Sequence, residues 1–253
     1  MLFWFKRKKV IVDWFTTDQA IHKFHSITKF GKDDYPGWWK RIPSTLENTI
    51  GNTPLKAKTS TIKKCEGLNR MFESAWIFPF WADVAISTNS EQGLVVSDAH
   101  GNPNGIVHPQ QQFDIVDQPY FGSKKHFKFS SPWLATSKSK TYFSMIPATY
   151  HTMSLWSKMT ILPGTLNFYY QNATNINVFV ENNIEQFNVI AGTPMYYIVP
   201  QTEDDVEIKC HVTSPEEHRK ITKLMNTFSN NYARSKKATI NMENKSKCPF
   251  HFK

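Results

Sequence analysis

Cysteine and glycine are both scarce in this sequence, and each shortage argues against a class of protein. The three cysteines, Cys65, Cys210 and Cys248, are odd in number and widely separated, which argues against a disulfide framework and favours a reducing compartment. Ten glycines leave little room for a phosphate-cradling loop, and neither a P-loop nor a Gly-x-Gly-x-x-Gly motif occurs. A Gly-x-Ser-x-Gly elbow is also absent. The sequence therefore carries no motif that announces catalysis.

Long apolar runs are missing as well. No stretch of about 18 apolar residues occurs, so the sequence predicts no transmembrane segment. Near the start, Asp13 interrupts the apolar run that follows Lys9, and no small-residue cleavage site comes after it. These features predict that the chain carries no secretory signal.

Aromatic residues, in contrast, are plentiful, at 14% of the 253 residues. A chain of this length and composition can bury a large core, so we expect most of it to fold. One large domain with extensions fits better than two equal halves.

The net charge of +9 belongs to the two ends of the chain. Residues 1–9 carry four Lys or Arg, and residues 219–253 carry nine against the single acid Glu243. Residues 10–218 hold the remaining 17 Lys and Arg against 20 Asp and Glu, a net charge of −3. Basic ends can attract phosphate or acidic surfaces, but no helix-turn-helix, zinc-finger or RNP pattern occurs. We therefore expect a protein partner rather than nucleic acid.

Short apolar and aromatic runs dominate the rest of the chain. Between Met159 and Pro200 they are split by Pro-Gly, Asn-rich and Ala-Gly-Thr-Pro breaks, the pattern of consecutive strands folding back on one another. In the alternating stretch His-Phe-Lys-Phe, His126 and Lys128 should share one face of a strand and the two Phe the other. The sequence predicts a mainly β fold: a jelly-roll-like sandwich of two antiparallel sheets, with a mixed N-terminal segment and a C-terminal helix.

The C-terminal helix has the clearest local signal. Ser214 and Glu217 form a capping box, and Pro215 stands at the first helical position. The helix should run from about Pro215 to Tyr232, with an apolar stripe at Ile221, Leu224, Met225 and Phe228. The chain then divides into a mixed N-terminal extension packed on the body (1–74), the β-sandwich body (75–212), the helix (213–233) and a basic, mobile tail (234–253).

Aromatic and amide side chains are the candidates for ligand binding. Trp38 and Trp39 stand side by side and could stack on a ligand, although one ring laid on the core is the commoner arrangement. Asn175 and Asn177 lie two apart on a predicted strand and so share a face, which could line a pocket together with Trp133 or simply face solvent.

Histidine supplies the candidate metal site. His108, Asp114 and His126 fall on consecutive strands and loops, and two imidazoles with one carboxylate are suitable ligands for Fe²⁺. There is no His-x-His or His-x-Asp pair to strengthen the interpretation, and ordinary surface or hydrogen-bonded histidines remain the alternative.

Several stretches resemble an uncharacterised protein family of marine T4-like phages, of the cyanophage and pelagiphage type. They are FWADVAI (80–86), SPWL (131–134), LPGTLNFYYQNATNINVFV (162–180) and IAGTPMYYIVP (190–200), with YPGWWKRIP (35–43) and the CEG turn (65–67) upstream. The body is more distantly similar to a bacterial family of unknown function. The resemblance covers most of residues 10–212, and it implies a β-sandwich of phage origin, located in the cytoplasm of the infected bacterium or in the virion. It supplies no catalytic residues.

Two functions are therefore expected. The first is a binding or virion-associated protein without catalysis or cofactor, whose partner is a protein or virion component. The alternative is a cupin-like non-haem iron oxygenase that acts on a small molecule or a host protein. A homo-oligomer is compatible with either.

Overall fold

The computed structural model describes residues 8–49, 56–90, 93–98, 107–109, 124–151, 153–226 and 232–246. In chain order the described strands are β1 (Lys9–Thr16), β2 (Thr28–Lys29), β3 (Thr45–Thr49), β4 (Lys56–Ser60), β5 (Trp76–Pro79), β6 (Val84–Ser90), β7 (Gly93–Asp98), β8 (Val107–Pro109), β9 (Lys124–Ser137), β10 (Phe143–Pro147), β11 (Met159–Ile161), β12 (Gly164–Leu166), β13 (Ala173–Glu181), β14 (Phe187–Val189), β15 (Pro194–Pro200) and β16 (Asp205–Val212). The helices are α1 (Gln19–Phe24), α2 (Gly37–Arg41), α3 (Glu66–Ser74), α4 (Met153–Trp156), α5 (Pro215–Asn226) and α6 (Tyr232–Ser246), with 3₁₀ turns at Lys32–Asp34 and Ile62–Lys64.

The predicted β-sandwich is confirmed. Sheet 1 has the strand order β11-β13-β9-β1-β16, with β8 also paired to β9, and sheet 2 has the order β12-β10-β15-β5-β2. A small sheet, β14-β6-β7, contributes to the same core, and β3 and β4 form a separate hairpin. No helix in the described ranges is both long and apolar enough to cross a bilayer.

One strand pair departs from the predicted antiparallel arrangement. β1 and β16 run parallel, with Lys9 opposite Asp205 and Thr16 opposite Val212, whereas the other described pairs are antiparallel. No hairpin turn joins these two strands, which lie near opposite ends of the chain. Local turn signals therefore do not fix their relative direction.

The main core lies between the two sheets. Inward-facing residues of β9 lie in one core with those of β5 and β10, and most of the largest fully buried side chains there are aromatic: Trp14, Phe78, Phe80, Phe127, Phe129, Trp133, Phe143 and Phe168. Phe127 and Phe129 are both fully buried, which confirms the predicted alternation. Each such side chain stabilises the fold by about 1.5–3 kcal/mol when it is removed from water.

A second core covers the opposite face of sheet 2. Its buried members are Phe30, Trp39, Phe72, Ala75, Ile77, Ala148 and Tyr197. We call α2, α3 and the turn Lys32–Asp34 the N-terminal layer, because these elements bring Trp39 and Phe72 onto Ile77 and Tyr197 of the sheet. The molecule thus has three layers: sheet 1, sheet 2 and the N-terminal layer.

The C-terminal helix begins where the sequence predicts it. The Ser214 hydroxyl accepts a hydrogen bond from the Glu217 N–H (3.2 Å), and the Glu217 carboxylate accepts one from the Ser214 N–H (3.3 Å), which confirms the capping box. The structure describes this helix as far as Asn226. Residues 227–231 lie outside the described residues, so the predicted end near Tyr232 stays a prediction.

Residues 234–246 form most of helix α6, where the sequence predicts a tail. The Glu243 carboxylate of this helix accepts hydrogen bonds from Lys140 (2.8 Å) and from the Tyr169 hydroxyl on the body. Lys236 lies over the Tyr170 ring at 5.6 Å. Polar contacts of this kind leave no apolar stripe in the sequence, which explains why composition alone did not reveal the helix.

Candidate functional site

The predicted polar face exists on the outer side of sheet 1. Because Phe127 and Phe129 face the core, His126 and Lys128 face outward, and β13 lies beside them with Phe179 opposite His126. The His126 ring stacks on Phe179 (centroids 4.7 Å apart), and its Nε2 lies 3.2 Å from Asn177 Oδ1. His126 is thus buried and held in place by a ring and an amide.

Of the other two predicted iron ligands, the structure describes the strand position of His108 but not Asp114. The backbone register sets His108 of β8 opposite Lys128, so His108 lies on the strand next to His126. Asp114 is outside the described residues. Among the side chains that the structure describes, no group of three His, Cys, Asp or Glu could hold a metal ion. The complete set of His108, Asp114 and His126 stays a prediction.

The structure separates the three predicted pocket residues of the body. Asn175 and Asn177 share the outer face of sheet 1, with Asn175 exposed and Asn177 half-buried against His126. Trp133 lies on the opposite face of the same sheet, within the main core. The two amides and this indole therefore do not line one surface.

The paired tryptophans belong to the second core. Trp39 is buried, and its ring meets Phe72 edge to face at 5.4 Å. Trp38 donates a hydrogen bond from its indole N–H to the carbonyl oxygen of Tyr150 (2.7 Å). Both rings therefore hold α2 against the body.

A half-buried histidine that sequence reasoning did not single out joins sheet 2 to the N-terminal layer. His151 lies 2.6 Å from the Tyr197 hydroxyl through Nδ1 and 2.6 Å from the carbonyl oxygen of Asp34 through Nε2. Because a carbonyl only accepts, Nε2 carries the proton and Nδ1 accepts from Tyr197. Burial lowers the pKa of His151, partly opposed by the bond to Asp34, and burial raises the pKa of Tyr197. Both groups are therefore neutral at pH 7.

A charged groove of about 660 Å³ opens at the edge of the sandwich, where β16 of sheet 1 and β2 of sheet 2 lie on the same side. It is lined by Lys29, Arg70, Glu73, Ser74, Pro200, Thr202, Glu203, Asp204, Asp205 and Val206. Lys29 lies over the Trp76 ring at 5.4 Å, and burial lowers its pKa. Arg70 pairs with Glu66 at 3.8 Å on the exposed face of α3.

Sequence reasoning missed this groove because its walls come from three distant segments: β2, the end of α3 and the β15–β16 connection. The one local signal is the acidic run Glu203-Asp204-Asp205, which is equally typical of an ordinary solvated turn. His151 gave no signal either, since its partners at 34 and 197 are remote in the chain.

Comparison of the chain with protein-family models finds no match, and a search of curated proteins finds none.

Proposed function

We propose that the chain is a noncatalytic β-sandwich protein that binds another protein. The observation that carries this proposal is the groove between β16 and β2, an open concavity with charges of both signs at the edge of the two sheets.

Three of the reactive side chains that the structure describes support binding rather than catalysis. His151 is engaged through both ring nitrogens, and His126 is held by Asn177 and Phe179. Burial raises the pKa of the Cys210 thiol, which keeps the thiol protonated and weakly nucleophilic. These groups stabilise the fold.

The charge of the groove favours a protein partner over nucleic acid. Four carboxylates line it, Glu73, Glu203, Asp204 and Asp205, against Lys29 and Arg70. Nucleic-acid binding depends on neutralising phosphates with Lys and Arg, which carboxylates at the same surface oppose. The sequence resemblance supports a phage origin, so we propose that the partner is a virion component or a protein of the infected bacterium.

Reconstitution tests the proposal. Proximity labelling in infected cells should identify a partner protein. The chain should form a complex of fixed stoichiometry with this purified partner, and light scattering after size exclusion measures that stoichiometry. Reversing the groove charge with Glu203→Lys should weaken this complex, whereas Glu47→Lys on the remote β3–β4 hairpin should not. A strict monomer that labels no defined protein would contradict the proposal.

A second candidate, the iron oxygenase, is favoured by one observation. β8 places His108 on the strand beside His126, which is the arrangement that a two-histidine, one-carboxylate site needs from neighbouring strands. The ligands would be His108, Asp114 and His126. Metal analysis of freshly purified protein decides: stoichiometric iron that is lost on His126→Ala would favour the oxygenase, and less than about a tenth of an equivalent in folded protein would reject it.

A further inference from the structure

β16 is the outermost strand of sheet 1, so one of its two backbone edges has no neighbouring strand among the described elements. The N–H of Asp205 donates to the Lys8 carbonyl (3.1 Å) beside β1, and the N–H of Thr213, just past the strand, donates to the Thr16 carbonyl (2.9 Å). Backbone groups of successive strand residues point to opposite sides. Asp205 and Glu207 therefore bond toward β1, whereas Val206, Ile208 and Cys210 direct their N–H and C=O groups away from the sheet.

The chain itself covers one end of this edge. The outward carbonyl of Cys210 lies 3.1 Å from Nε2 of His22 on α1, and the Cys210 thiol lies 3.8 Å from the carbonyl of Ile27. At the other end, Val206 lines the groove between β16 and β2. The edge is thus closed at Cys210 by the chain's own side chains and open at Val206.

Charge limits what can occupy the open end. The lining residues sum to a charge of −2, from four carboxylates against Lys29 and Arg70. A second copy that presented its own β16 edge would bring Glu203, Asp204 and Asp205 against the same residues. Like charges that face each other across a strand pair are destabilising. A segment rich in Lys and Arg has the complementary charge.

We propose that the groove binds an extended, basic segment of a partner protein, which adds as a strand beside Val206. The inference rests on the proposed function and names the partner's chemistry. Backbone hydrogen bonds to the outward groups of β16 supply affinity, as in other cases of strand addition to a sheet edge. The carboxylates of Glu73 and Glu203 select lysine and arginine side chains.

A synthetic peptide tests the proposal directly. The probe is a fluorescent peptide of about eight residues with alternating lysine and valine, titrated with the full chain and followed by anisotropy. We expect saturable binding that weakens roughly five- to tenfold when alternate peptide nitrogens are methylated, because methylation removes backbone donors without changing charge. A peptide of alternating glutamate and valine should not bind.

Protein variants locate the site. Glu203→Gln and Glu73→Gln should each weaken binding of the lysine peptide by a few-fold. The matched control Glu47→Gln removes an exposed carboxylate of the β3–β4 hairpin and should leave the affinity unchanged.

Besides a failure of the basic peptide to bind, three outcomes would overturn the proposal. They are equal binding of the methylated peptide, equal loss on Glu47→Gln, and a concentration-dependent dimer that excludes the peptide, which would assign the groove to a second copy. If no basic peptide binds while the reconstituted partner complex still forms, the strand-addition inference fails and the proposed function stands.

Discussion

The two outer faces of the sandwich differ in chemistry. The outer face of sheet 2 carries Ile77 and Tyr197, and the N-terminal layer buries it with Phe30, Trp39 and Phe72. The outer face of sheet 1, at β9 and β13, carries Lys128, Ser130, Asn175 and Asn177, which keep part or all of their exposure, around the buried pair His126 and Phe179.

This difference indicates that the outer face of sheet 2 serves packing and is not available for binding. An aromatic face that another layer covers is committed to stability, because exposing it again would return a large apolar area to water. The open end of the β16 edge, in contrast, can meet a partner. Substitutions at the second core should therefore change stability, and substitutions at the outer face of sheet 1 should change it little.

The largest effect is expected at the centre of the second core. Phe72 is fully buried and meets the rings of Phe30 (4.9 Å) and Trp39 (5.4 Å). Phe72→Ala should lower the free energy of unfolding by about 3–5 kcal/mol, measured by urea denaturation. The matched control Phe24→Ala removes a ring that is 67% exposed and should cost less than about 0.5 kcal/mol. Equal losses would show that the second core does not form.

A smaller loss is expected when one hydroxyl is removed from the same region. Tyr197→Phe deletes the donor to Nδ1 of His151 and leaves that nitrogen unsatisfied beside a fully buried ring, at a cost of about 1–3 kcal/mol. Tyr150→Phe keeps a ring that also contacts Phe72 and should cost less than about 0.5 kcal/mol. Indistinguishable denaturation midpoints for the two variants would show that the hydrogen bond between Tyr197 and His151 does not stabilise the fold.

The contribution of His151 to the free energy of unfolding should also depend on pH. Burial holds the pKa of His151 below that of the unfolded chain, which is about 6.5. The unfolded state therefore takes up this proton first, so the contribution of the neutral ring is complete above pH 6.5 and is lost as the pH falls from there through the folded pKa. The facing groups are the Asp34 carboxylate, which opposes the shift, and the hydroxyl of Tyr197.

Denaturation of the wild type and of His151→Gln at several pH values isolates this effect. The stability advantage of the wild type should shrink between pH 7.5 and pH 5. His218, whose pKa burial also lowers, is present in both proteins, so its contribution cancels in the difference. An advantage that grows on acidification would contradict the assigned neutral ring.

The smallest effects are expected on the outer face of sheet 1. Asn177→Ala removes the bond to His126 and should cost about 1 kcal/mol, whereas Asn175→Ala, at an exposed position, should cost less than about 0.5 kcal/mol. Both values are measured by the same urea denaturation. A loss from Asn175→Ala as large as that from Phe72→Ala would erase the contrast between the two faces.

Local patterns predicted much of the fold. The alternation at 126–129 gave the correct inward and outward residues of β9, and Ser214 with Glu217 gave the start of α5. What depends on distant contacts could not be predicted in this way. The parallel pairing of Lys9 with Asp205 has no turn to set it, and Tyr197, His151 and Asp34 meet only in three dimensions.

The candidate site shows the same limit. The sequence correctly placed Asn175 and Asn177 on one face, because a strand period is enough for that inference. It grouped Trp133 with them, although residue parity on β9 puts this indole in the main core. The groove was missed because Lys29, Arg70 and Asp204 share no motif.

Amide-resolved hydrogen exchange, with and without the lysine–valine peptide, tests the central claim most directly. The claim is that binding occurs at the open edge of β16, while the aromatic face of sheet 2 serves packing. We predict slower exchange at the outward amide of Val206, which lines the groove, and unchanged exchange at Glu207, which bonds toward β1, and throughout α3. Protection confined to α2 and α3, or unchanged exchange at Val206 under saturating peptide, would contradict the account.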